Sequence, residues 1–151
     1  MDKYDKAILS RLQSDASLSV GDLAERVGMS KSACWRRVQK LEQDGVIRDR
    51  VALLDQEKIN LSLTVYISVR TNQHSDAWVG QFQRVTEQLP GVLEVHRMSG
   101  DLDYLIKAVV IDMKDYDRLY KELIKIELFD VSSSFVMETM KQTTQLPLTQ
   151  I

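Results

Sequence analysis

Residues 61–70 alternate without a break. Leu61, Leu63, Val65, Ile67 and Val69 fall on one face of an extended segment, and Ser62, Thr64, Tyr66, Ser68 and Arg70 on the other. Successive strand side chains point to opposite faces, so this pattern predicts a strand with one face buried and one open. Such a strand needs neighbours, and the following residues supply them. Residues 76–89 have helical spacing, with Val79, Phe82, Val85 and Leu89 on one stripe, and stop at Pro90-Gly91. Residues 92–98 read as a second strand, Ser99-Gly100-Asp101-Leu102 as a turn, and residues 104–111 as a third strand. Asp112 caps a helix whose apolar stripe is Tyr116, Leu119, Tyr120, Leu123 and Ile124, and residues 131–140 alternate again as a fourth strand. The order β-α-β-β-α-β is the split βαβ or ferredoxin-like arrangement, one antiparallel sheet with two helices on one face. The other face, with Tyr66, Val136 and Met137 or Met140, is too apolar for open water and implies contact with another copy of the chain.

The first fifty residues carry a different period. Tyr4, Ile8, Leu9 and Leu12 form a helical stripe, with Asp2 or Asp5 serving its amino end. Ser19 reads as an N-cap for residues 20–27, where Leu23, Ala24 and Val27 face inward and Gly28 terminates the helix. Ser30 caps a third helix that runs to about Asp44 and stops at Gly45. Two helices joined by a short Gly-containing turn make a helix-turn-helix. Setting Cys34 at 0° on a wheel of 100° per residue puts Val38 and Leu41 within about 40° of it, an inward stripe. Ser32, Trp35, Arg36 and Gln39 then face outward, flanked by Lys31, Arg37 and Lys40. Arg and Gln can pair with base edges while Lys and Ser hold phosphates, so this face suits a recognition helix. Residues 46–54, short, β-branched and basic at the centre, are expected to pack back as a strand-like wing offering Arg48 and Arg50 to a phosphate backbone. The fold expected is therefore α+β: a winged helix-turn-helix over 1–50, a linker over 51–60 and a ferredoxin-like domain over 61–151.

Charge agrees with that division. Residues 1–50 carry 10 Lys/Arg against 8 Asp/Glu, whereas residues 51–151 carry 10 against 14, and the stretch 31–40 holds Lys31, Arg36, Arg37 and Lys40 with no acid. A local basic face in an acidic protein is an electrostatic footprint for nucleic acid. One cysteine, Cys34, excludes an internal disulfide and a Cys-cluster zinc site, and its place on the apolar stripe makes it a core residue. No apolar run approaches membrane-spanning length, and the charged residues Asp2, Lys3, Asp5 and Lys6 exclude a secretory signal there, so a cytoplasmic, nucleoid-associated protein with no membrane partner is expected.

On these residues the chain resembles the Lrp/AsnC, or feast/famine, family of transcription regulators. DKYDKAILSRLQSD at 2–15 is similar to the family's opening helix and LAERVGMSKSACWRRVQKLEQDG at 23–45 to its helix-turn-helix. VALLD at 51–55 is similar to its hinge strand, SGDLDYLIK at 99–107 to its hairpin signature, and Met137-Glu138 to the close of its last strand. The resemblance implies a RAM-type C-terminal domain that binds a small effector, typically an amino acid. It further implies homodimers formed across the sheets and hinge strands, joined into tetramers, octamers or larger rings. By position, Met98, Gly100, Asp101, Leu102, Asp103 and Tyr104 would form one wall of an effector site between dimers, and Ser132, Ser133 and Ser134 the other. Asp101 or Asp103 could take an ammonium, and turn amides or serine hydroxyls a carboxylate. Met98 and Leu102 suit leucine, methionine or cysteine better than a charged amino acid. The outward residues Lys31, Ser32 and Trp35 are this chain's own, so no operator sequence carries over.

Two other readings compete. A DNA-binding protein that organises the chromosome and ignores ligands shares the same surface. An enzyme on the ferredoxin-like domain would have to use His96, Asp101 and Asp103, but no metal-ligand spacing or phosphate loop accompanies them. No catalytic residue, metal or cofactor is expected.

Overall fold

Every helix begins where a side chain can satisfy free amide hydrogens. The elements run α1 (Lys3–Ser14), α2 (Val20–Val27), α3 (Lys31–Gln43), β1 (Leu63–Arg70), α4 (Asp76–Glu87), β2 (Val92–Arg97), β3 (Tyr104–Val110), α5 (Met113–Leu123) and β4 (Asp130–Phe135) in a computed structural model that describes residues 1–151. Ser19, Ser30, Ser75 and Asp112 cap α2 to α5 by accepting from Asp22, Ala33, Trp78 and Asp115 amides. At α1 both expected acids act together. The Asp2 carboxylate accepts from the Tyr4 and Asp5 amides at 2.8 and 3.0 Å, and the Asp2 amide donates to the Asp5 carboxylate at 3.0 Å, a reciprocal capping box.

The chain divides into two units, Met1–Leu53 with Met140–Ile151, and Leu54–Thr139. The first is built on the contacts among Ile8, Leu9, Leu23, Ala24, Cys34, Val38 and Leu41, all buried. Gly28 ends α2 at φ 71°, a left-handed position that glycine takes without strain, and turns the chain into α3. Its fourth component, beside the three helices, was not foreseen. Residues 140–151, expected in the second domain, pack on these helices instead. The Gln13 side chain imitates a rung of β-ladder, with Nε2 donating to the Leu146 carbonyl at 3.1 Å and Oε1 accepting from the Leu146 amide at 2.6 Å. Leu148 and Ile151 then rest on the helical core.

The wing and hinge differ from expectation as well. Residues 48–55 have no regular secondary structure, and the Val46–Ile47 segment is held by the Ile47 amide donating to the Leu41 carbonyl at 3.0 Å and by the Ile47 side chain packing on the helical core. No second extended segment lies beside residues 51–55 to complete a ladder within one chain, and an extended segment without a partner is not a strand. Leu53 and Leu54 consequently stand 71% and 72% exposed.

In the second unit the strands lie in the order β2-β3-β1-β4, all antiparallel. Val65, Ile67 and Val69 of β1, flanked by Ile106, Ala108 and Val110 of β3, face α4 and α5. A stacked Trp78–Phe82 pair with centroids 5.2 Å apart covers this face, joined by the Tyr104 ring at 4.6 Å from Phe82. Trp78, not Val79, carries the inward stripe of α4, because its indole also reaches the Glu127 carbonyl (Nε1 to O, 2.9 Å). On α5 the inward positions are Leu119 and Leu123, while Ile124 is exposed and Ile126, past the helix end, is buried in its stead. The fourth strand stops at Phe135, five residues earlier than expected, with the Val136 amide on the Thr64 carbonyl as its last rung. Met137 and Met140 therefore lie off the sheet, 95% and 92% exposed.

Gly91 sits where no side chain fits: a Cβ there would lie 2.8 Å from the Val109 carbonyl oxygen, on the strand whose Val109 amide donates to Gly91. Gly91→Ala is expected to cost the second unit about 1–3 kcal/mol through forced backbone displacement. Chemical denaturation with an unchanged m-value measures it.

Candidate nucleic-acid interface and effector region

The outward face of α3 follows from its inward one. With Cys34, Val38 and Leu41 buried, Lys31, Ser32, Trp35, Arg36 and Lys40 are exposed. Burial pushes the Cys34 thiol pKa up, as suits a core side chain and not a nucleophile. The ion pairs of this unit use Arg37, Lys40 and Arg50, which leaves Lys31, Arg36 and Arg48 as cations without an acidic partner. Lys40 is only loosely engaged, at 3.6 Å from Asp44.

Three expected contact residues are committed elsewhere. The Arg37 guanidinium donates to Asp5 at 2.7 Å and to Asp2 at 2.8 Å, and lies 5.5 Å from the Tyr4 ring centroid. It ties α3 to the capping box of α1, and the two carboxylates push its pKa further up. Gln39 Nε2 donates to Glu42 at 3.0 Å and Arg50 Nη2 to the other Glu42 oxygen at 2.8 Å, so one carboxylate holds both. A spacing of 32 residues hides the Arg37 pair from sequence reasoning, whereas Glu42 three residues after Gln39 is a helical neighbour that could have been noticed.

The β2–β3 connection is pinned from inside. The Asp103 amide donates to the Val69 carbonyl at 3.0 Å, and the Asp103 carboxylate accepts from the Thr71 amide at 2.8 Å. Arg70 Nε donates to the Asp101 carbonyl at 2.9 Å, and the Met98 amide to the Asp103 carbonyl at 2.8 Å. Arg70, read from the sequence only as the end of a strand, and Thr71, which that reading did not include, thus hold the turn in place. Gly100 has φ 108°, a backbone that strains any other residue.

The expected effector residues separate into three groups. Met98, Gly100 and the Asp101 side chain are open to solvent, with Leu102 half-buried beside them. Asp103 and Tyr104 serve the fold: the first anchors Thr71, and the second has its ring against Trp78 and Phe82. Among the serines, Ser133 faces the helices and accepts from the Tyr116 hydroxyl at 2.6 Å, whereas Ser132 and Ser134 point to the open sheet face. Because β1 lies between β3 and β4, Ser132 and the β3 residue Leu105 both pair with Ser68 from opposite sides, about 10 Å apart. The turn and the serines do not form one pocket in a single chain.

His96 pairs with Glu94 on the open face, Nε2 to Oε2 2.9 Å, and Lys107 approaches the same carboxylate at 3.2 Å. The His96 hydrogen bond, with Lys107 second, lowers the Glu94 pKa. This imidazole serves a surface pair and does not join Asp103, whose carboxylate is spent on Thr71.

Residues 1–48 match a family model for a winged helix-turn-helix DNA-binding domain, and residues 64–146 match that for the Lrp/AsnC ligand binding domain. The DNA-binding transcriptional activator DecR of Escherichia coli is 45% identical over 150 residues, covering 98% of this chain and 99% of DecR. A crystal structure of an AsnC family transcriptional regulator from Agrobacterium tumefaciens is 54% identical and superposes with a TM-score of 0.93, covering 98% of this chain and 97% of its own. A transcriptional regulator of Neisseria meningitidis in complex with L-Met is 35% identical, with a TM-score of 0.94 over 99% and 98% of the two chains.

Arg37→Ala is expected to lower the thermal midpoint, whereas Arg36→Ala leaves it unchanged, since only Arg37 is tied to α1. The pH dependence has a definite sign. The Asp5 amide, with Arg37 behind it, holds the Asp2 carboxyl below its ordinary value of 3.8. A depressed carboxyl stabilises the fold fully above the unfolded value and loses that contribution as pH falls through the folded one. Melting curves of wild type and Asp2→Asn should therefore differ most well above pH 3.8 and converge below it.

Proposed function

This chain belongs to the Lrp/AsnC family of DNA-binding transcriptional regulators, and from that premise we infer that Lys31, Ser32, Trp35 and Arg36 meet duplex DNA while an amino acid controls the assembly that presents them. The chain is a regulator and not an enzyme. The observation that carries the reading is the cationic face of α3: its inward stripe is buried, Lys31 and Arg36 stand outward without an acidic partner, and Lys40 is held only loosely by Asp44 at 3.6 Å. Arg36 is the base-reading candidate, with Lys31, Ser32, Lys40 and Arg48 on phosphates. Arg37 acts from behind by holding α3 to α1, and Gln39 and Arg50 reach DNA only by leaving Glu42.

Two recognition helices of a homodimer would occupy successive major-groove faces of a pseudo-palindromic site. Support for a homodimer, and for tetramers, octamers or rings built from it, comes from apolar groups that one chain cannot cover: Val51, Leu53, Leu54, Met137 and Met140. A second copy laid along residues 51–55 gives that segment the ladder partner it lacks.

The effector is an amino acid, with leucine, methionine or cysteine favoured by the apolar Met98 and Leu102 beside the turn. The ligand-binding domain match and the L-Met complex of the Neisseria relative support this. Exposed turn amides at Gly100 and the Asp101 carboxylate would take the zwitterion from one copy, and Ser132 or Ser134 of another copy would close the site. Regulation of amino-acid metabolism in the cytoplasm, on the nucleoid, is the role that fits such a sensor; no helix is long and apolar enough to cross a membrane.

Fluorescence anisotropy on a duplex selected by the full chain tests DNA reading. Arg36→Ala should weaken specific binding by about 1–3 kcal/mol and relax preference at one base pair. An equal loss on all sequences with a shallower salt dependence would make Arg36 a phosphate contact instead. Sedimentation tests assembly: Leu53→Asp with Leu54→Asp should shift the protein to smaller species. Native mass spectrometry across an amino-acid panel should show the assembly shifting with leucine, methionine or cysteine, and indifference to every amino acid would favour a ligand-independent DNA-organising role.

A further inference from the structure

Trp35 stands where folding gives it no reason to be. It is 52% exposed on α3, one turn after Lys31 and beside Arg36, on the side away from Cys34, Val38 and Leu41. The ring contacts of the chain gather around Trp78 and Tyr116 and do not include it. Instead it lines a shallow concavity with Val20, Lys31 and Ser32. Val20 opens α2 and is half-buried. The floor of the concavity is thus indole and branched aliphatic carbon, and its edge is an ammonium and a hydroxyl.

A partner for that surface must be anionic around an apolar point. Duplex DNA meets both requirements in its major groove, where the phosphates are charged and the C5-methyl of thymine is the one apolar group among the base edges. Lys31 and Arg36, both without acidic partners, stand on either side of the indole and can meet the phosphates or a guanine. We propose that Trp35, backed by Val20, is a specificity-determining residue that receives a thymine methyl, so each operator half-site carries an obligatory thymine beside the base read by Arg36. The inference rests on the duplex-binding reading above and adds to it the chemistry of one base position.

Uracil isolates the methyl, because it removes that group and keeps every hydrogen-bonding edge of thymine. The full chain is used to select duplexes from a randomised library, and the selected duplex is remade with each thymine replaced in turn by uracil. One position per half-site is expected to weaken binding about fourfold, the worth of one methyl removed from water. Trp35→Ala, confirmed folded by circular dichroism, should bind the thymine and uracil forms of that position equally while keeping its preference at the base read by Arg36. Trp35→Phe, which retains a smaller apolar ring, should keep part of the difference. If wild type selects a duplex yet tolerates uracil at every position, the methyl-reading role is overturned and the DNA-binding reading survives. If no duplex is selected at low salt, both fall together.

Discussion

The rotational setting of α3 is the constraint on which the functional surface depends. Each residue step turns a helix by 100°, so a displacement of one position would bring Trp35 or Arg37 inward and expose core. Three contacts prevent it. Cys34, Val38 and Leu41 are buried against α1 and α2, the left-handed Gly28 fixes where the chain leaves α2, and Arg37 grips Asp2 and Asp5 at the head of α1. The last of these explains an apparent excess of charge. Of two adjacent arginines on a basic helix, one locks the helix and the other is left for a ligand. Their separation by 100° on the wheel assigns the roles, and no local property of either residue could have done so.

Most of the fold was legible because the patterns that revealed it are enforced by burial over short spans. The alternation of residues 61–70 survives in β1, where Val65, Ile67 and Val69 are all fully buried, and the caps Ser19, Ser30 and Asp112 sit where they were expected. What failed did so for physical reasons that periodicity does not carry. Val79 and Trp78 are neighbours on α4, and it is tertiary contacts, the stack of Trp78 on Phe82 and its hydrogen bond to Glu127, that go with the one that turns inward. Residues 136–140 were expected to continue the last strand, but it ends at Phe135 and its last bond to β1 is the Val136 amide on the Thr64 carbonyl. The return of residues 140–151 to the helical unit depends on Gln13 meeting Leu146 across 133 positions of sequence.

The candidate sites were less legible than the fold, since a site residue is defined by what it is free to do. Exposure and charge single out an outward surface of α3 that the fold leaves open, yet Gln39 and Arg50 are drawn off by Glu42. Resemblance likewise pointed to the turn around Gly100, but position in a motif could not tell a ligand contact from a support. Asp103 and Asp101 look equivalent in sequence. In the fold one carboxylate holds Thr71 while the other stands open, and only its backbone carbonyl is engaged, by Arg70.

That pinning bears on how an effector could act. The turn is tied to Val69, Arg70 and Thr71, at the end of the strand paired on both sides and buried along one face. A ligand bound there would press on a strand already hydrogen-bonded on both sides. It gains far more by joining a second surface, because the serines of the open face lie two strands from the turn of their own chain and cannot close a pocket with it. In the proposed reading, effector control would work by favouring one assembly over another, and it would be limited to the difference in affinity between them. The same difference, taken in reverse, means that DNA which prefers one assembly must alter the affinity for the amino acid by an equal factor.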